Sequence, residues 1–386
     1  MAENIKLNIP DKDEYKVTDT INVTKPDIPE IEDYIKYLKE IWKNEWLTND
    51  GEFLRLFEIK LKEHLKLRNV IVVSNGTLAI HMALKALNIK GDVITTPFTF
   101  SATTNALIWE GLNPVFADID SETFNIYPSD VEKKITDETS AILAVHVYGN
   151  PCYVEELQEI SIENDIKLIY DSAHSFGVEY KKKSVLNYGD ISTLSFHATK
   201  VFNTVEGGAI TAQDEKILEK LKLLRNHGIK SEEEVLLPGT NAKMNEFQAA
   251  MGLCNIKIIE DKLKQRKELY DHYKENLASF DNIKFQKLIA SKYNYSYMPV
   301  CFENIKVRDK IYSELIKDNI YSRKYFYPLT VNYDYFKQRG QNLVQKYDLK
   351  VASDISDRVL CLPLYPDLGE NVVDKITNRI KELMSN

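Results

Sequence analysis

Short apolar runs rich in β-branched residues alternate with stretches of helical periodicity through the middle of this chain. Between residues 69 and 212 the strand-like runs are NVIVVSNG, DVITTPFTF, NPVFADI, AILAVHVYG, IKLIYDSAH, ISTLSFHA and GGAITA. Helical segments such as TLAIHMALKAL, ATTNALIWEG and VEELQEISIEN separate several of them. Near-continuous apolar strands connected by helices are typical of a mostly parallel sheet that is covered on both faces. The pattern therefore predicts an α/β fold.

The regions on either side of this alternation predict the domain organisation. Two helical patterns, IEDYIKYLKEIWKNEW and FLRLFEIKLKEHLKL, precede it, and a long helix from about residue 256 leads into short strands and a final amphipathic helix. The chain has 386 residues, more than the roughly 250–300 at which single hydrophobic cores stop growing. We expect an N-terminal arm (residues 1–30), a large domain (31–255) and a smaller C-terminal domain (256–386).

Charge and cysteine content argue against several classes of protein. The 50 Lys and Arg residues against 58 Asp and Glu give a net charge of −8, and their dispersal disfavours a nucleic-acid or anionic-membrane surface. No apolar run reaches the length of a membrane span, and the N-terminus lacks the apolar segment of a secretion signal. The cysteines are far apart in the sequence and show no C-x-x-C spacing, so neither a zinc knot nor a disulfide framework is suggested. We therefore expect a cytoplasmic protein with no metal and four free thiols, those of Cys152, Cys254, Cys301 and Cys361.

Candidate chemistry is sought after the apolar runs, because ligands in open α/β sheets bind at the carboxyl ends of the strands. The first candidate is the segment from Ser74 to Thr77, which contains Gly76 and precedes a helix. The N–H groups of a helix N-terminus and the Thr77 hydroxyl can bind a phosphate. The alternative is an ordinary turn capped by Ser74 or Thr77. Neither G-x-G-x-x-G nor a P-loop is present, so dinucleotide-binding and P-loop folds are not predicted.

Three further candidates follow other strands. Asp171 ends IKLIYD, and a carboxylate in an apolar setting is costly without a cationic partner; the alternative is a helix cap or an Asx-turn. His174 lies three residues later and fits a core histidine equally well. Phe100 follows VITTP and could stack on a planar cofactor or simply pack in the core.

Lys200 ends the segment SFHATK directly after a predicted strand. A buried ammonium group tends to lose its proton, and the neutral amine can form a Schiff base with an aldehyde such as pyridoxal phosphate. The alternative is a surface lysine, the commoner environment of this residue. Glu206-Gly207-Gly208-Ala209 follows. Its paired glycines indicate a close backbone approach or a positive φ, although a plain hairpin turn explains them nearly as well.

Taken in order, these motifs resemble the DegT/StrS-type nucleotide-sugar aminotransferases, pyridoxal-phosphate enzymes of the aspartate-aminotransferase fold (fold type I). The likeness extends from about Trp46 to beyond Tyr327 and includes RNHG at 225–228 and NAKMNE at 241–246. Its most specific part is S-F-x-x-T-K followed by E-G-G-A. The resemblance implies a large domain with a mostly parallel sheet and a smaller α+β C-terminal domain.

The same resemblance implies pyridoxal 5′-phosphate as cofactor. Lys200 would hold it as an internal aldimine and transfer protons during catalysis, and Asp171 would pair with the pyridinium nitrogen. The remaining residues implied to contact the cofactor are Gly76, Thr77 and Ser195 at the phosphate, Phe100 and His174 at the ring, and Asn226, which would reach the cofactor of the neighbouring subunit. A homodimer with shared active sites follows.

The resemblance further implies an amino transfer from L-glutamate to a dTDP-linked keto sugar, for a surface polysaccharide. SFHATK with EGGA is more similar to family members that act at C4 of the sugar, which favours dTDP-4-keto-6-deoxyglucose as substrate. The residues implied to line the sugar pocket are Trp46, Thr48, Tyr148, His197, Lys243, Tyr325 and Tyr327, although interfacial packing would also explain the tyrosines.

Three alternatives remain. Amination at C3 of a 3-keto isomer is the nearest, and the choice depends on few residues. A dehydratase on the same fold is more distant, because such relatives replace the Schiff-base lysine with histidine, whereas this chain has Lys200. A non-catalytic protein that retains the fold is the third, since a fold does not determine a function.

Overall fold

A computed structural model describes residues 20–340 and 342–385. The helices are α1 (Ile31–Asn44), α2 (Glu52–Leu65), α3 (Gly76–Ala86), α4 (Ser101–Trp109), α5 (Pro128–Glu132), α6 (Val154–Glu163), α7 (Glu215–Arg225), α8 (Glu246–Leu277), α9 (Ile305–Lys317), α10 (Asp334–Lys337), α11 (Leu343–Tyr347), α12 (Lys350–Arg358) and α13 (Glu370–Ser385). Single 3₁₀ turns occur at Val147–Gly149, Val185–Asn187, Thr330–Asn332 and Pro366–Leu368.

The strands form one large sheet and several small ones. They are β1 (Ile21–Asn22), β2 (Ile71–Val73), β3 (Asp92–Thr95), β4 (Asn113–Phe116), β5 (Thr139–Val145), β6 (Lys167–Asp171), β7 (Glu179–Tyr180), β8 (Lys183–Ser184), β9 (Ile191–Ser195), β10 (Gly208–Ala212), β11 (Ile229–Ser231), β12 (Glu234–Val235), β13 (Lys284–Phe285), β14 (Met298–Cys301), β15 (Ile320–Tyr321) and β16 (Val359–Leu362).

A seven-stranded sheet with the order β2-β10-β9-β6-β5-β3-β4 is the centre of the fold. Its neighbouring strands are parallel except that β10 is antiparallel to both β2 and β9. The predicted α/β class is therefore confirmed. Asp171 pairs in register with Val145 on one side and with Thr193 on the other. This register places the carboxyl ends of β5, β6 and β9 side by side.

Apolar side chains cover both faces of the large sheet, which explains why its strands are nearly continuous apolar runs. In β2, Val72 packs in the cluster that contains residues of α2 and α8. Its neighbours Ile71 and Val73 pack on the opposite face, against residues of α3 and α7. In β9, Leu194 and Ile191 are divided in the same way.

Helix α8 begins ten residues before the start predicted for the long helix, so that prediction was wrong. A capping box sets the true start: the Asn245 side chain accepts from the Gln248 N–H at 2.9 Å, and the Gln248 side chain accepts from the Asn245 N–H at 3.3 Å. The proposed domain boundary at residue 255 falls inside this helix. Leu253 packs with the large sheet, whereas Tyr273 packs with the sheet β13-β14-β16. These contacts support the two-domain division, which remains a proposal.

The described part of the proposed N-terminal arm lies against the C-terminal half of the chain; residues 1–19 are outside the described residues. Strand β1 pairs in parallel with β15. Farther along, the buried Arg266 donates to Asp27 at 3.1 Å and to the Leu364 carbonyl at 3.0 Å. These contacts attach residues 20–30 to α8 and to the segment after β16.

The state of the cysteines and the character of the helices can be compared with the expectations from the sequence. All four cysteines are free and buried, as the sequence predicts. Across residues 20–340 and 342–385, we find no helix with the length and apolar character that a membrane crossing requires.

The buried side chain of Glu246 caps helix α2. Its carboxylate oxygens accept the backbone N–H groups of Phe53 and Leu54, each at 2.9 Å. A Cβ atom on Gly51 would overlap this carboxylate, so a larger residue there would displace Glu246 from these hydrogen bonds. The two N–H groups at the start of α2 would otherwise lack an acceptor. The negative charge of Glu246 also lies at the positive end of the α2 dipole. Glu246 therefore connects α8 to α2 through both charge and hydrogen bonds.

We expect Glu246→Ala to lower the free energy of unfolding by about 2–4 kcal/mol, since it leaves two buried donors unsatisfied. Glu246→Gln should cost less, because its amide oxygen still accepts one hydrogen bond. Urea unfolding followed by circular dichroism measures both values. Glu163→Ala, at an exposed position of α6, is the matched control; an equal loss in the control would contradict the capping role.

Candidate active site

A cavity of about 310 Å³ lies at the carboxyl ends of the central strands. Val145, Asp171 and Ser195, the last residues of β5, β6 and β9, contribute to its wall, together with the starts of α3 and α4. The sequence-predicted residues that line it are Gly76, Thr77, Phe100, Asp171, His174, Ser195, His197, Lys200 and Tyr325. Sheet topology thus brings together side chains from widely separated parts of the sequence.

Asp171 is a buried carboxylate held by two donors. Its Oδ2 accepts from the Thr103 hydroxyl at 2.7 Å, and its Oδ1 accepts from the Ala173 N–H at 3.1 Å. Burial raises the pKa of Asp171, while these hydrogen bonds and the charge of Lys200 act in the opposite direction. Because Thr103 donates to a carboxylate, its oxygen is left to accept from Thr99, at 2.8 Å.

Lys200 lies in the turn that follows β9, where its N–H donates to the His197 carbonyl at 2.9 Å. Its side chain borders the cavity, and burial lowers the pKa of Lys200 to about 8. The negative charge of Asp171 opposes this shift. An amine with a pKa near 8 has a substantial neutral fraction near physiological pH, which is the form that attacks carbonyl groups.

The start of α3 approaches Ser195 closely. A Cβ atom on Gly76 would lie 2.8 Å from the Ser195 Cβ, and one on Gly208 would lie 2.8 Å from the Gly76 nitrogen. The close approach explains the second glycine of the Gly207-Gly208 pair. The helix cap is Asn75, whose side chain accepts from the Leu78 N–H at 2.8 Å, so the alternative cap by Ser74 or Thr77 was wrong. The remaining N–H groups of this helix start form a site suited to a phosphate.

Aromatic rings surround His174 at the opposite side of the cavity. Its ring is parallel to that of Phe326 at 6.1 Å and meets the edge of Tyr297 at 5.0 Å. Burial and the charge of Lys200 hold the pKa of His174 well below its usual range, so the ring is neutral. Its Nδ1 is buried and has no hydrogen-bond partner among the described residues.

The mouth of the cavity carries an imidazole and a carboxylate. His197 Nδ1 lies 2.8 Å from the Thr199 hydroxyl, and its Nε2 lies 3.6 Å from Glu206 Oε1. Phe100, with 57% of its surface exposed, precedes α4 on the cavity wall. An exposed ring in this position can contact a planar ligand.

Two predicted sugar-pocket residues, Tyr148 and Tyr327, do not line this cavity. Tyr148 is completely buried, and its hydroxyl donates to the Tyr325 carbonyl. Tyr327 is partly exposed, with the Arg308 guanidinium 4.9 Å from its ring centre. Tyr148 instead supports the cavity wall from behind, because Tyr325 is a lining residue.

A separate surface holds the remaining predicted residues, which also do not line this cavity. Lys243 donates to the Asn226 side chain at 2.8 Å. Burial lowers the pKa of Lys243, and the neighbouring Arg225 adds to the effect. Arg225 in turn lies 3.7 Å from Asp50, in the loop that carries the exposed residues Trp46 and Thr48.

The sequence did not predict Thr99 and Tyr297, which line the cavity, or Thr103, which donates to Asp171. Phe326, between the predicted Tyr325 and Tyr327, also lines the cavity. Tyr297 belongs to an alternation of tyrosines at 293, 295 and 297 that could have drawn attention. No local signal distinguishes Thr103, because threonine is common in helices and its partner Asp171 is 68 residues away.

The site fits a phosphorylated planar aldehyde such as pyridoxal phosphate. The crowded glycines at the start of α3 leave backbone donors for a phosphate, Lys200 presents an amine, and Asp171 presents a buried carboxylate. The unpartnered Nδ1 of His174 offers one more polar contact. These groups are the ones that such a cofactor requires.

Comparison with known proteins agrees with this description. Residues 29–381 match the sequence profile described as the DegT/DnrJ/EryC1/StrS aminotransferase family. An Escherichia coli protein named dTDP-4-amino-4,6-dideoxy-D-glucose transaminase is 43% identical over 362 residues, covering 93% of this chain and 97% of that protein.

Solved structures agree as well. The structure of DesI in the presence of its TDP-sugar product has a TM-score of 0.88 at 29% identity, covering 95% of this chain and 93% of that one. NtdA from Bacillus subtilis with bound cofactor PMP has a TM-score of 0.84 at 29% identity, covering 92% and 82%. The predicted fold type I is confirmed by these likenesses. Sequence and structure together establish that this chain is a pyridoxal-phosphate-dependent member of the DegT/DnrJ/EryC1/StrS aminotransferase family.

Proposed function

We propose that this enzyme transfers the amino group of L-glutamate to C4 of dTDP-4-keto-6-deoxyglucose, giving dTDP-4-amino-4,6-dideoxyglucose for a surface polysaccharide. The observation that carries the transamination is the pair Lys200 and Asp171 facing one cavity. The 43% identity to an Escherichia coli enzyme named for this product supports the choice of substrate.

Lys200 is the proposed nucleophile and proton carrier. Pyridoxal phosphate, when bound, supplies an aldehyde that condenses with amines and a ring that withdraws electrons from the amine-bearing carbon. With its pKa lowered to about 8, about a tenth of the Lys200 side chains are neutral at pH 7. The neutral amine can attack a carbonyl carbon and, once released, can accept a proton from the substrate carbon and return it.

Asp171 is the proposed partner of the cofactor ring nitrogen. The Thr103 hydroxyl and the Ala173 N–H occupy one oxygen each, which fixes the orientation of the carboxylate. A carboxylate held in this way favours a protonated nitrogen beside it, and the protonated ring is the stronger electron acceptor. We assign Gly76 and Ser195 to the cofactor phosphate.

We also propose a homodimer in which each chain completes the site of its partner. Among the described residues that line the cavity, Lys200 is the only lysine or arginine, whereas the proposed substrates are all anionic. Lys243 and Asn226 lie together on a separate surface, from which they could reach a second copy. Buried free thiols support a reducing compartment, the cytoplasm.

The cofactor-free enzyme should bind pyridoxal phosphate faster as pH rises through about 8, because only the neutral Lys200 amine attacks the aldehyde. Below the midpoint the rate should rise about tenfold per pH unit. Stopped-flow absorbance gives the rate, and Nα-acetyl-lysine, whose amine has the ordinary pKa of about 10.4, is the control; its rate should continue to rise above about pH 8 while that of the enzyme levels off. In Asp171→Asn the midpoint should fall, since Asp171 raises the pKa of Lys200; a wild-type midpoint near 10.5 would contradict the assignment.

Mixed dimers test the shared site. Lys200→Ala and the double variant Asn226→Ala, Lys243→Ala should each lose most of their activity alone. If sites are shared, a heterodimer purified with two tags contains one intact site and should regain about half of the wild-type rate. Mixing each variant with itself is the control. No recovery in the heterodimer would contradict the contribution of these residues to the partner.

Product analysis decides the position of amination. With L-glutamate and dTDP-4-keto-6-deoxyglucose, we expect a 4-amino product by NMR and mass spectrometry, and no product from Lys200→Ala. Amination of the 3-keto isomer alone would support the C3 alternative and overturn our choice. Loss of a hydroxyl without gain of nitrogen would indicate the dehydratase alternative.

A further inference from the structure

Val205, beside the cavity mouth, has an unusual backbone conformation. Its φ is +69°, in the left-handed region that β-branched residues rarely adopt. The residue is 53% exposed, so burial does not offset the strain. Strained residues of this kind persist only where the surrounding structure holds them, and they cluster at functional sites.

Hydrogen bonds on both sides hold this segment in place. The Val205 N–H donates to the Asn203 side chain at 3.2 Å, and the Thr204 hydroxyl donates to the Glu206 carbonyl at 2.8 Å. Asn203 itself is anchored, because its side chain donates to the Asp27 carbonyl and its own carbonyl accepts from Asn255. The backbone at Val205 is therefore determined by its neighbours.

The fixed backbone at Val205 determines where the next residue, Glu206, places its carboxylate. Its side chain lines the mouth of the cavity, is 54% exposed and lies 3.6 Å from His197 Nε2. Within the described residues, no lysine or arginine forms an ion pair with it. Glu206 thus presents carboxylate oxygens to a ligand in the cavity, although the proposed function gave it no role.

The chemistry of this position selects one part of the substrate. A carboxylate repels the diphosphate of a nucleotide sugar and the carboxylates of glutamate, but it is a strong acceptor for hydroxyl groups. A sugar ring offers such hydroxyls and no charge. An imidazole beside the carboxylate adds a second polar contact of the kind that hydroxyls satisfy.

We infer that Glu206, positioned by the strained Val205 and accompanied by His197, accepts hydrogen bonds from the ring hydroxyls of the keto sugar. In this way Glu206 selects the sugar end of the substrate, and not its diphosphate, for the cavity. The inference rests on the proposed function, because it takes a nucleotide-linked sugar as the substrate.

Comparing the binding of dTDP with that of dTDP-glucose to the cofactor-loaded enzyme distinguishes contacts to the sugar from contacts to the nucleotide. Calorimetry would give dissociation constants for dTDP and for dTDP-glucose, which has the sugar but no reacting carbonyl. We expect Glu206→Gln to weaken dTDP-glucose binding by about tenfold, the scale of one charge-assisted hydrogen bond. Binding of dTDP should be unchanged. Glu163→Gln on the surface of α6 is the matched control.

The glutamate half-reaction provides an independent readout. Conversion of the bound cofactor by L-glutamate, followed by absorbance, involves no sugar and should proceed at the wild-type rate in Glu206→Gln. Unchanged dTDP-glucose binding would overturn the inference, and so would a slower glutamate half-reaction with weaker dTDP binding. Val205→Gly adopts the same positive φ without strain, and the hydrogen bonds of Asn203 and Thr204 still hold the segment, so this control should leave dTDP-glucose binding unchanged.

The two proposals fail in different ways. If the wild-type enzyme aminates no dTDP-linked keto sugar, the proposed function is wrong. If it aminates the 4-keto sugar and Glu206→Gln does so with unchanged KM, only the role of Glu206 is wrong.

Discussion

Asp171 and Lys200, two groups of opposite charge, are both buried at this cavity, and the cost of removing them from water is the constraint on which the site depends. Burial pushes both toward their neutral forms, while each charge partly stabilises the other. The hydroxyl of Thr103 shifts this balance toward an ionised Asp171 without adding a charge. Such a balance requires accurate placement, which follows from the parallel register of β5, β6 and β9.

The sequence predicted the parts of this site that depend on local pattern, and missed those that depend on distant packing. Asp171 and Lys200 were found because each follows an apolar run, and parallel strands bring such positions together. Thr103 was missed because its contact with Asp171 spans 68 residues. The hydrogen bond from the buried Tyr148 hydroxyl to the Tyr325 carbonyl, which spans 177 residues, was likewise not predicted. The start of α8 was missed because its capping box was not recognised.

Charge is distributed unevenly between the cavity and the surface outside it. The cavity mouth carries Glu206 and His197, whereas Lys243 and Asn226 lie on a separate surface. In the arrangement that we propose, hydroxyl recognition comes from the chain that binds the cofactor, and part of the neutralisation of phosphate comes from its partner. Among the described residues that line the cavity, no second cation accompanies Lys200, where a further positive charge would lower its pKa still more.

Helix α8 has a mechanical consequence. Its 32 residues give a length of about 48 Å, so a tilt of about 5° at one end displaces the other by about 4 Å. One end packs with the large sheet and the other with the sheet β13-β14-β16. A sharp kink between them would disrupt the helical hydrogen bonds. The helix therefore connects the orientations of the two sheets, since a rotation at one end would be amplified at the other.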